Sequence, residues 1–186
     1  MNLRRSLIAS TALILLAACG GSSPFTVNGT IRGSSLKPGD AISEIGGVSI
    51  GSVPVNGAVV LLSNSSGLCA SANARKEPKS SQFMTFVISD RTTSVTPTAG
   101  TYTIWPGSGA QPTKFAFAQY AQTDANCQPV QLVVANSGTI TITSINNGDV
   151  SGNFDFTFSS GDHVTGSFAA KNCNSLISAL GSSTCG

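Results

Sequence analysis

The chain has 186 residues, of which only 10% are charged, and a formal net charge of +2. Without Arg4 and Arg5 the remaining basic and acidic side chains balance. That excludes a nucleic-acid binder, which needs clustered positive charge, and it argues against electrostatic steering to an anionic surface. Ser, Thr, Asn and Gly do the solubilising instead, and the chain beyond residue 18 is long enough for one domain with a real core.

Met1-Asn2-Leu3-Arg4-Arg5-Ser6 is a short basic start, and residues 7–18 are apolar apart from Ser10 and Thr11. Twelve helical residues span about 18 Å, short of the roughly 30 Å hydrocarbon core of a bilayer. The segment therefore reads as a cleaved signal peptide and not as a membrane-spanning anchor. Its end, Leu16-Ala17-Ala18-Cys19, resembles the lipobox of bacterial lipoproteins. The resemblance implies diacylglycerol on the Cys19 thiol, cleavage just before it and acylation of the new amine. Two or three acyl chains on one residue make a lasting anchor, where one would hold only marginally. The competing reading, an ordinary secretory signal, gives a cysteine at the cut no role. Gly20 occupies the place where, in well-studied sorting systems, Asp retains a lipoprotein in the inner membrane, so the resemblance implies the outer membrane. The chain thus divides into a signal peptide (1–18), a lipidated flexible tether (19–24) and a single β domain (25–186).

From Phe25 onward short β-prone runs alternate with Gly, Pro, Asn and Asp. The expected strands are 25–32, 41–50, 57–63, 82–89, 100–105, 114–123, 130–134, 138–145, 150–158 and 163–169. Such spacing predicts an all-β fold, an antiparallel sandwich or barrel. One or two short helices are expected, at 68–75 before Pro78 and at 175–180 before Gly181.

The C-terminal third is the most explicit. Ile140 and Ile142 alternate with Thr139, Thr141 and Thr143, and Asn147-Gly148 supplies a hairpin turn. Val150, Gly152, Phe154, Phe156 and Phe158 then share one face, with Ser151, Asn153, Asp155 and Thr157 on the other. Val164, Gly166 and Phe168 complete a three-strand meander with one buried face and one wet face. Phe115 and Phe117 are expected to face the same core. The runs Ser137-Gly138-Thr139-Ile140-Thr141-Ile142, Gly152-Asn153-Phe154-Asp155 and Gly161-Asp162-His163-Val164-Thr165-Gly166-Ser167-Phe168 carry a resemblance. With Leu68-Cys69, Ser80-Ser81 and Pro97-Thr98-Ala99-Gly100-Thr101-Tyr102, they resemble an uncharacterised family of small β-rich myxobacterial lipoproteins. The resemblance covers most of residues 25–173 and implies an exported β domain with no known activity.

Cys69, Cys127, Cys173 and Cys185 remain beside the lipidated Cys19. In an oxidising compartment they are expected to form two disulfides. Cys173 and Cys185 lie close in sequence, which favours Cys173–Cys185 with Cys69–Cys127 among the three pairings. Zinc is not expected, because no two cysteines have C-x-x-C spacing and His163 is the only histidine.

Candidate chemistry is sparse. Gly47-Val48-Ser49-Ile50-Gly51 matches the G-x-S-x-G pattern, and His163 lies downstream. A nucleophile elbow needs a helix after the serine, and Gly51, Pro54 and Gly57 cannot open one. His163 reads as a solvent-facing strand residue. Asp149, Asp155 and Asp162 fall in one hairpin system, but their spacing matches no calcium loop. Trp105, ahead of Gly107-Ser108-Gly109, is the one candidate for ligand stacking, although a core or rim role is the more ordinary one; Tyr102 and Tyr120 read likewise. Arg75, Lys76, Glu77 and Lys79 form the only charge cluster, of which Arg75 and Lys76 read as a solvated helix end. The expectation is a non-enzymatic, cofactor-free envelope protein. It is held to membrane lipid through Cys19 and meets an envelope glycan or a protein partner, or serves as an assembly subunit.

Overall fold

The computed structural model describes residues 24–92 and 96–186. The expected signal peptide (1–18), Cys19 and the expected tether as far as Ser23 lie outside them. Among the described residues, eleven strands and two helices succeed one another: β1 (Thr26–Asn28), β2 (Asp40–Ile50), β3 (Val53–Ser63), α1 (Leu68–Ala74), β4 (Lys76–Glu77), β5 (Gln82–Asp90), β6 (Gly100–Ile104), β7 (Lys114–Thr123), β8 (Pro129–Asn146), β9 (Asp149–Phe158), β10 (His163–Asn172), α2 (Leu176–Leu180) and β11 (Thr184–Cys185). The fold is all-β, as the spacing of the runs indicates.

The strand pairings form a closed circuit, β2-β3-β5-β7-β8-β9-β10 and back to β2, so the sheet is a barrel. β6 is wedged where β7 and β8 diverge, and β1 lies beside β10. Closure depends on a narrow seam: β10 meets β2 in parallel through Lys171↔Ile42 and Asn172↔Ser43 only. The same edge of β10 pairs β1 at residues 165–167. Ser43, fully buried, reinforces the seam by donating to the Gly148 carbonyl at 2.8 Å, with the Ala170 carbonyl at 3.2 Å. The sheet is mixed and not purely antiparallel, because β6–β7 is parallel too; β4 and β11 form a separate two-stranded parallel sheet.

The meander 138–169 has the expected register. Phe154, Phe156, Phe158, Val164 and Phe168 are buried in the barrel interior with Phe86, Tyr102, Tyr120 and Ile140. Phe154 lies opposite Gly166 and Phe168 opposite Gly152, so each ring covers the bare backbone of a glycine across the strand. A Cβ on Gly166 would stand 2.4 Å from the Phe154 ring, so these two positions make room for the aromatics. The runs expected at 130–134 and 138–145 are one continuous strand, β8, with irregularities at Ala135/Ser137 and Ile142/Ser144 that let it bend from β7 to β9. The first strand is shorter than expected, ending at Asn28.

Phe115 and Phe117 do not face the barrel interior. Their strand turns Ala116, Ala118 and Tyr120 inward, and the two phenylalanines join a second apolar cluster outside the barrel wall. The physical reason is that β2, β3, β5 and β7 are covered on both faces. Ile42, Val59, Leu61 and Val87 face outward in one cluster with Leu68 and Ala72 of α1 and Leu176 and Ala179 of α2, and Trp105 packs edge-on against Phe115.

On the opposite wall the outward face is left uncovered by the described residues. On β6, β8, β9, β10 and β1 the outward residues fall in register as Thr101–Thr141–Asn153–Ser167–Thr26. The next row is Thr103–Thr139–Asp155–Thr165–Asn28. All ten are exposed or half-exposed.

Candidate functional site

The two helices belong to a flap that crosses the outside of the barrel, and β2 positions both. Asp40, Ile42 and Glu44 alternate outward along β2. Asp40 accepts a hydrogen bond from the Leu68 N–H at 2.9 Å, and Glu44 one from the Ile177 N–H at 2.7 Å. Free N–H groups and the positive end of a helix dipole favour a carboxylate there, so two acidic side chains of one strand dock two helices.

Disulfides fix the flap at both margins. Cys69 on α1 is bonded to Cys173 after β10, and Cys127 in the β7–β8 turn to Cys185 in β11. All four cysteines are oxidised, but the expected pairing is corrected. Cys173 and Cys185 are kept apart by α2, which lies between them on the sheet. Cys173 instead meets α1 at the seam, while β11 carries Cys185 alongside β4 to the turn that holds Cys127. Lys76 is therefore a strand residue, together with Glu77 in β4, and not part of a helix end; Arg75 caps α1, in a left-handed conformation.

Between flap and barrel lies a cleft of about 320 Å³. Its floor is the outward face of Ile42, Leu61, Phe83, Thr85, Gln119 and Ala121. One wall is Leu68, Ser71, Ala72 and Glu77, and the other Leu176, Ala179, Leu180 and Ser182. A mostly apolar concavity of this size with a few polar groups is the usual form of a small-ligand site. Glu77 is half-buried, and burial pushes its carboxyl above the ordinary value. Its polar neighbours in the cleft are the hydroxyls of Ser71, Thr85, Ser182 and Ser183, the Gln119 amide and Lys76.

The residues singled out in the sequence lie elsewhere and apart. Ser49 is exposed, next to the hairpin that turns β2 back into β3, with no helix after it. His163 begins β10, eight residues before the seam, while Ser49 lies seven residues beyond it on a parallel strand. The structure does not bring them together. His163 is exposed and bonds Asp155 at 2.7 Å. Asp149 bonds Lys171, and Asp162 bonds Ser160 and the Arg32 N–H. Among the described residues no group of three acidic, histidine or cysteine side chains converges as a metal site.

Trp105 is 5% exposed and packs edge-on against Phe115, so its ring is not offered for stacking. Tyr102 and Tyr120 are core residues, and the Tyr102 hydroxyl donates to the Thr98 carbonyl at 2.6 Å. No family model, curated protein or solved structure matches this chain.

Proposed function

We propose that the chain is a lipid-anchored protein of the bacterial cell envelope that binds a small apolar ligand, or the apolar tip of a partner, without catalysing a reaction. The cleft carries the binding part of this reading. It has ligand-site dimensions, a mostly apolar floor that also holds Thr85 and Gln119, and walls that two disulfides hold in place. The anchoring part rests on Leu16-Ala17-Ala18-Cys19, with Cys19 as the acylated first residue and the outer membrane as destination.

Two measurements test it. Intact-mass analysis of membrane-extracted protein should give a species beginning at Cys19 with added acyl mass, and Cys19→Ser should abolish lipid labelling. A different start, or no acyl mass, ends the anchoring reading. A solvatochromic apolar dye should bind the disulfide-intact protein and be excluded by Ala121→Trp, which fills the cleft floor. Equal dye binding by the variant, at unchanged melting temperature, would place the site elsewhere.

A second reading, an assembly subunit, draws on Val130 and Leu132. They are 56% and 59% exposed at the end of β8, where its second edge has no strand partner among the described residues.

A further inference from the structure

The wall opposite the flap, uncovered by the described residues, presents two regular rows of polar side chains. Its two rows span five strands, about 4.8 Å apart, which makes each row roughly 19 Å long. Successive rows are about 6.8 Å apart along the strands. Six of the ten positions are threonine, and the others are serine, asparagine and one aspartate. No lysine, arginine or glutamate stands among them. The single formal charge, Asp155, is bonded by His163.

We infer that this wall binds a neutral polysaccharide, laid across the strands along the rows. The two chemistries match. A hydroxyl both donates and accepts, and so does a side-chain amide, which is what an array of sugar hydroxyls requires. A face with one carboxylate and no lysine or arginine offers nothing to a polyanion and little to a polycation, and threonine methyls alone are too small to hold an apolar partner. Each hydroxyl–hydroxyl bond is weak once water is displaced, so recognition needs many at once, which a polymer supplies and a monosaccharide does not. Threonine is stiff at χ1, so its hydroxyls stand in place before the ligand arrives and little side-chain freedom is lost on binding. Thr101 with Thr141, at 3.1 Å, and Thr26 with Ser167, at 3.0 Å, already hold one another in the row.

The wall and the cleft lie on opposite sides of the barrel, and one experiment separates them. Native affinity electrophoresis would be run in gels containing mixed-linkage β-glucan, galactomannan or dextran, with alginate and heparin as charged controls. At least one neutral polymer should retard the protein, and neither charged one should. Thr141→Lys with Thr165→Lys, placed diagonally on neighbouring rows, should weaken that retardation at least tenfold at unchanged melting temperature. Ala121→Trp should leave it intact while abolishing dye binding. Failure of all three neutral polymers overturns the inference, as does stronger retention by alginate or heparin, or equal retardation of the lysine variant. None of these results bears on the cleft, whose dye test stands or falls by itself.

Discussion

Asp149 shows how much one side chain ties together. Its carboxylate takes the Lys171 ammonium at 2.7 Å and the Asn172 N–H at 2.8 Å, both at the strand residues that close the barrel. Those bonds, Lys171 first, hold its pKa below the ordinary value. Thr92 and Lys114 do the same for Asp90, and Ser160 and the Arg32 N–H for Asp162. A carboxylate with a lower pKa folded than unfolded adds stability that is complete above the unfolded value and lost as the pH falls through the folded one. The melting temperature should therefore drop as the pH goes below about 4. Asp149→Asn should lower stability at neutral pH and flatten part of that acid slope. Thermal melts across the range from neutral to strongly acidic pH check both, and a slope unchanged in the variant would clear Asp149 of any part in it.

At the level of the strand, the meander makes the sharpest test. Phe156 is fully buried and touches Phe86, Phe154 and Phe158, while its neighbour Thr157 points outward. Phe156→Ala should cost about 3–5 kcal/mol, from lost burial and the cavity left behind. Thr157→Ala should change stability by no more than about 0.5 kcal/mol. Denaturant melts of the two variants suffice; comparable losses would contradict the one-sided register. This part of the fold is legible in the sequence because period two leaves its mark only where one face is wet. On β7 both faces are buried, so alternation carries no sign, and nothing in the sequence assigns Phe115 and Phe117 to the outer cluster. β8 reads as two strands because its bends interrupt the pattern without ending the strand. The cleft leaves no local signal at all, since its floor and walls come from five strands and both helices. Asp40 and Glu44 look like ordinary strand charges until the helices they dock are in place.

For the molecule as a whole, the two disulfides divide the work. One secures the seam side of the flap through α1, and the other fixes the C-terminus against the β7–β8 turn. Cross-linking of this kind stabilises a domain by about 2–4 kcal/mol per bond. Reduction under native conditions should loosen the flap before the barrel, so dye binding should change while the far-ultraviolet β signal persists. Simultaneous loss of both would show that flap and barrel unfold as one unit.

Neither bond joins cysteines that are consecutive in the chain, and this affects how the protein must be made. A polypeptide lengthening from its N-terminus displays Cys69 and then Cys127 before Cys173 exists. At about 5–20 residues per second that interval lasts a few seconds, within the range in which thiols begin to oxidise. The first bond on offer is thus Cys69–Cys127, which the finished structure does not contain. It can be undone only by attack of a later thiolate through a mixed disulfide. Protein produced with a thiol oxidase alone should accumulate this consecutive isomer, and a thiol–disulfide isomerase should convert it, as peptide mapping under non-reducing conditions would record. The order of arrival thus matters as much as the fold: Cys69 can find its lasting partner only once Cys173 has emerged, and Cys127 only once Cys185 has.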